Sequence, residues 1–181
     1  MAQVTEDLVQ SSVVSSTGVT DFGNTVASDD NRASFDCSSG TNIIFELTNL
    51  SQTPTSIVSA QIRHEAQAQT IQSAVVSMEM LNSSNTQINT QNTTFSTTSD
   101  FSQNLTVHTT NDLTSAAFTA DDINTLRVKI TYITETGTVT TALIDHIFVR
   151  VIYNIADPVA GLIKLTSGKI KLNSGLIGIK N

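Results

Sequence analysis

From Ser56 to Gln69 the chain reads SIVSAQIRHEAQAQ, and the character of its residues changes at nearly every step. Val58, Ala60, Ile62, His64, Ala66 and Ala68 fall on one side of an extended backbone; Ser59, Gln61, Arg63, Glu65 and Gln67 fall on the other. Successive side chains of a strand point to opposite faces, so a period of two held this long specifies a half-buried β-strand and excludes a helix. Residues 73–81, SAVVSMEML, repeat the pattern with Ala74, Val76, Met78 and Met80 inward. The two segments are predicted to pair as a hairpin.

The same signal returns later. TLRVKITYI (125–133) places Leu126, Val128, Ile130 and Tyr132 on one face. TALIDHIFVRVIYN (141–154) is apolar on both faces at its middle, which predicts a central strand covered on both sides. The link TETGTVT between them holds the glycine of a hairpin turn. NIIFELTNL (42–50) is a further strand, and SQTPTS (51–56) is a loop. FTADDIN (118–124) predicts one short helical turn, with Thr119 as its cap and Asp121 and Asp122 near the positive end of its dipole. Between Asn82 and Asp112 the apolar residues Phe95, Phe101, Leu105 and Val107 stand far apart, which predicts two short strands and long loops. The stretch 1–41, where LVQSSVVSS is the one clear strand, belongs to the domain, with an arm as the alternative. Together these segments predict an all-β fold: an antiparallel, jelly-roll-like β-sandwich over 1–155, followed by a C-terminal extension over 156–181.

That extension is repetitive. Gly161 to Asn181 divides into GLIKLTS, GKIKLNS and GLIGIKN, each opening on glycine. Seven is odd, so a strand running straight through would throw Ile163 and Ile170 onto opposite faces. The Ser-Gly steps at 167–168 and 174–175 must therefore break the strand and reset its phase. Each unit becomes a short amphipathic strand: Ile163, Leu165, Ile170, Leu172, Ile177 and Ile179 form an apolar side, and Lys164, Lys169, Lys171 and Lys180 a basic one. Three such strands cannot shelter their own apolar side. Leaving those six aliphatic groups in water forgoes on the order of 10 kcal/mol, at ~1.5 to 3 kcal/mol for each buried side chain. The cover is the chain's own sandwich, the same tail from neighbouring copies wound about a threefold axis, or another protein; the alternative is a frayed terminus, which rarely places Ile and Leu so regularly.

Charge follows the same division. The formal charge is −7, and four lysines follow Asp157, the last acid, so residues 158–181 carry +4 and residues 1–157 carry −11. An acidic body argues against nucleic acid, and a basic tail suits an acidic protein surface. MAQVTEDLVQ carries two acids and no cation, which is unlike a signal peptide, and no run approaches the ~18 apolar residues of a membrane helix.

Little in the chain resembles reaction chemistry. His64, His108 and His146 sit in strand-like surroundings without an HxH, HExxH or Cys/His cluster, and Asp145 and His146 fall on opposite faces of one strand. Cys37 has no partner for an internal disulfide. Asp29 with Asp30, and Asp121 with Asp122, are the paired acids that could hold calcium, against the alternative of turn and cap duty. No catalytic, cofactor or metal site is expected.

The order of segments resembles a β-sandwich module that recurs in structural proteins of tailed bacteriophages. The residues carrying the likeness are Ile57, Ala60 and Ile62; Thr119, Asp122, Ile123 and Asn124; and Asp145, Ile147, Val149, Val151 and Tyr153, within about residues 42 to 154. Such modules often carry tryptophan near the first turn and before the helical turn; this chain has none, and Phe22 and Phe118 stand in those places. The resemblance implies a non-enzymatic virion protein, assembled in the host cytoplasm, that decorates or cements a capsid as a homotrimer in contact with the major capsid protein. A short fibre or tail-tip protein is the alternative within the virion. A carbohydrate-binding module on a phage or cell surface, with the loops of 82–112 contacting a host-surface glycan, is the alternative from a different class.

Overall fold

The computed structural model describes residues 1–68, 73–95, 101–136, 141–157, 170–172 and 175–177. Its strands are β1 (Ala2–Thr17), β2 (Val19–Thr20), β3 (Ala33–Asp36), β4 (Asn42–Leu47), β5 (Ser56–Ala68), β6 (Ser73–Leu81) and β7 (Gln87–Phe95). They continue with β8 (Phe101–Asn104), β9 (Thr110–Asn111), β10 (Ala116–Ala117), β11 (Arg127–Thr136), β12 (Thr141–Ile155), β13 (Ile170–Leu172) and β14 (Gly175–Ile177). A 3-10 helix covers Phe22–Val26, and α1 covers Ala120–Asn124. The chain is all-β and antiparallel, as the alternating segments predict.

Two sheets share one core. In the first, β12 is central: β5 lies along one edge with β8 beyond it, and the first half of β1 and the short β3 divide the other edge. In the second, the order is β1, β4, β11, β6, β7. β1 therefore belongs to both. Ala2 to Val9 pair with β12, Gln10 to Thr17 pair with β4, and register shifts at Ser11 and Val14 bend the strand around the corner. Bulges of this kind let one strand change sheets. Leu8, fully buried, anchors the crossing. β1, β2 and β3, all within the stretch 1–41, are thus paired into the sandwich.

Between the sheets lie Phe35, Ile43, Phe45, Val76, Met78, Phe95, Val128, Ile130, Val149 and Tyr153, all essentially without exposure. Phe22 of the 3-10 helix closes one side, its ring centroid 4.9 Å from that of Phe45.

Both expected hairpins are absent. β5 pairs with β12 and β8, whereas β6 pairs with β11 and β7, so the two alternating segments face each other across the core. β11 and β12 likewise sit in opposite sheets. Each strand has one apolar face to bury, and stacking across a core satisfies that need as well as lateral pairing does.

Two bulges change the faces read from the sequence. In β5, Ile152 opposes Ser59 and Tyr153 opposes Ile57, so Val58 is the extra residue and is 37% exposed, not inward. In β12, Ile144 opposes Ala66 and His146 opposes Glu65, leaving Asp145 as the extra residue. Ala142 and Ile144 before it, and Ile147, Val149, Val151 and Tyr153 after it, then face one core. The two apolar faces of the sequence are one face with a phase shift. β12 is central, as expected, but Phe148 and Ile152 on its outer side are only half-buried.

α1 forms as its residues dictate. Thr119 Oγ1 accepts the Asp122 amide at 3.1 Å, and Asp122 Oδ2 accepts the Thr119 amide at 2.8 Å, a reciprocal cap on an otherwise open helix start.

Candidate functional site

The C-terminal repeat is described in part. β13 and β14 come from its second and third units and pair antiparallel, with Ile170 opposite Ile177, Lys171 opposite Leu176 and Leu172 opposite Gly175. The Ser-Gly steps at 167–168 and 174–175 fall at least in part outside the described residues. Among the described residues this ladder is a separate two-stranded sheet. Ile163, Leu165 and Ile179 lie outside the described residues, as do Lys164, Lys169 and Lys180.

A second feature lies at one end of the sandwich. Glu46 of β4 and Arg127 of β11 stand opposite each other in register, and Arg127 Nη2 reaches Glu46 Oε1 at 2.7 Å. Arg127 Nη1 donates to the Ser83 carbonyl at 2.7 Å and to Asn85 Oδ1 at 2.9 Å, and Ser12 Oγ donates to Glu46 Oε2 at 2.9 Å. The guanidinium, and then the Ser12 hydroxyl, hold the Glu46 carboxyl below its ordinary pKa. Beside this network opens a cleft of about 380 Å³, lined by Leu47 and Leu126 and by Ser11, Thr48, Asn49, Asn124 and Thr125. The Asn124 side-chain oxygen accepts the Leu50 amide at 3.0 Å and pins the 48–50 loop to the end of α1.

A third is a groove of about 280 Å³ on the outer side of the first sheet, between Arg63, Glu65, Ser102, Asn104, His146 and Phe148. Its aromatic surface is already occupied. His146 stacks on Phe148 at 4.6 Å between centroids, and the Arg150 guanidinium lies 5.6 Å from the Phe148 ring while paired to Asp7 at 2.6 Å.

The histidines do not converge. His64 is buried between the sheets, His146 is on the outer face, and the backbone of His108 forms an isolated bridge to Ala60. Asp29 accepts the backbone and side-chain amides of Asn31, Asp30 pairs with Arg32 at 2.9 Å, and Asp122 caps α1 and accepts Asn111 Nδ2. Turn and cap duty thus accounts for Asp29, Asp30 and Asp122, and no group of three possible metal-ligating side chains occurs among the described residues. Burial is the main cause that pushes the Cys37 thiol up to about 11.

The cleft is not legible in the sequence. Glu46 and Arg127 occupy outward positions of two strands 81 residues apart, and only the register of β4 with β11 unites them. Of the loops in 82–112, Ser83 alone lines it.

No protein-family model matches the chain, and no curated protein does. Among solved structures it is similar to a truncated AlyQ with CBM32 and alginate lyase domains, at a TM-score of 0.50 and 17% identity over 86% of this chain and 35% of that one. It is also similar to the arabinose-bound MgGH51 α-L-arabinofuranosidase, with a TM-score of 0.46 and 13% identity over 83% of this chain and 23% of that one. The enzymatically active domain of bacteriophage CBA120 tailspike protein 4 gives a TM-score of 0.40 and 12% identity, covering 81% of this chain and 19% of that one. This chain spans about a third or less of each of these proteins, and the likeness to AlyQ is one of fold: an antiparallel β-sandwich.

Proposed function

We propose that this chain is a non-catalytic structural component of a bacteriophage virion, a β-sandwich that decorates or cements the capsid and assembles through its C-terminal repeat. The observation that carries the reading is the ladder between β13 and β14, with Ile170 opposite Ile177. A hairpin of three residues per strand is marginal by itself in water and gains stability only when a further surface covers it. Ile163, Leu165 and Ile179, with Lys164, Lys169 and Lys180, extend the same amphipathic unit in sequence. Three copies contributing this unit around one axis would bury it, and many weak contacts per particle would then add. Capsids lacking the protein test the reading. Full-length chain added to them is expected to bind saturably; capsids that take up none overturn it.

A second reading, a carbohydrate-binding module, is favoured by the cleft beside Glu46 and Arg127, which is preformed and mixes apolar with polar lining.

A further inference from the structure

We propose that this cleft holds one neutral sugar unit of a polysaccharide, with Glu46 and Arg127 as its paired acceptor and donor and Asn49 and Asn124 as flanking contacts. The inference deepens the carbohydrate-binding reading and is independent of the assembly role.

A sugar ring presents neighbouring hydroxyls, each able to donate and to accept, together with a less polar C–H face. A matching site needs a donor and an acceptor side by side, and an apolar surface within reach. Glu46 and Arg127 supply the pair, 2.7 Å apart. Leu47 and Leu126, almost fully buried, are the apolar side chains among those that line the cleft. A volume of about 380 Å³ lies at the small end of ligand sites and suits a single ring with some ordered water.

The polar groups are positioned before any ligand arrives. Arg127 is fixed by Glu46, Ser83 and Asn85, and Glu46 is fixed in turn by Ser12. Little side-chain freedom is left to lose on binding. Capacity nevertheless remains: Asn124 uses its oxygen on Leu50 and keeps its amide donors, and the exposed Asn49 side chain makes no hydrogen bond among the described residues.

Charge selects a neutral ligand. The two charges in the cleft cancel, and the formal −11 of residues 1–157 repels a polyanion at long range. The groove on the first sheet is the weaker site, because His146 and Arg150 already cover its aromatic ring.

Affinity electrophoresis of the full chain through dextran, galactomannan, xylan and polygalacturonate tests the proposal, followed by calorimetry with oligosaccharides of the polymer that retards it. One neutral polymer is expected to retard the protein. Asn49→Ala, which removes a flanking contact at an exposed position, should weaken binding several-fold, and Arg127→Met by about tenfold or more. His146→Ala should leave it unchanged. Wild-type affinity in both cleft variants, or loss in His146→Ala alone, overturns the cleft assignment while leaving the carbohydrate-binding reading intact. Preference for polygalacturonate overturns the neutral ligand. Retardation by none of the four overturns both the site and that reading.

Discussion

His64 Nε2 lies 3.2 Å from Thr93 Oγ1, a hydrogen bond that crosses the core from β5 of one sheet to β7 of the other. Thr93 also donates to Gln103 Oε1 of β8, and Phe95 meets the imidazole edge-on at 5.3 Å between centroids. Burial dominates the titration of this ring and pushes its pKa down to about 4, against a smaller opposing effect of the hydrogen bond with Gln103. The folded protein therefore keeps His64 neutral where the unfolded chain takes up a proton.

The sign of the pH dependence follows. The contribution of His64 is fully present above about pH 6.5 and is lost as the pH falls toward 4, because the unfolded state binds the proton first. The loss is on the order of 3 kcal/mol across that window. Urea unfolding at pH 7 and pH 4.5 measures it. His64→Gln keeps a polar partner for Thr93 without titrating, and is expected to lose clearly less stability than wild type between the two pH values. Equal losses would remove His64 as the cause.

Leu8→Ala tests whether the N-terminal strand is structural. Leu8 is fully buried where β1 passes between sheets, so truncation should cost about 2 to 5 kcal/mol. A change under ~0.5 kcal/mol in chemical denaturation would mean that β1 does not close the sandwich.

Thr119→Ala removes one side of the reciprocal cap on α1 and leaves the Asp122 amide without its acceptor. The expected loss is about 1 kcal/mol, with Thr119→Ser restoring most of it. Thermal denaturation of the two variants checks this; no difference between them would sink the capping role.

The cap was legible because it is local: Thr119 and Asp122 are three residues apart, and the whole device lies within one turn. The strands at 42–50, 56–69 and 73–81 were legible for the same reason, since alternation is a property of neighbouring residues. Pairing was not. Ser56–Ala68 and Ser73–Leu81 carry the same pattern whether they lie side by side or face to face, and nothing in either segment distinguishes the two. Bulges escape for a related reason, because Val58 and Asp145 become extra residues only relative to partners distant in the chain. β7 was hidden by its polarity: QINTQNTTF buries Asn89 and Thr93 alongside Ile88 and Phe95, so its inward face does not look apolar. The cleft escaped because it depends on cross-strand register, whereas the C-terminal repeat stood out because its period is written in consecutive residues.

That repeat carries the central claim, that copies of this chain assemble through their last residues. The direct measurement is size-exclusion chromatography with light scattering on the full chain and on a chain ending at Ala160. The full chain is expected to show three times the 19.3 kDa subunit mass, and the shortened chain a single subunit. A monomer in both preparations, or a trimer that persists without the repeat, contradicts it.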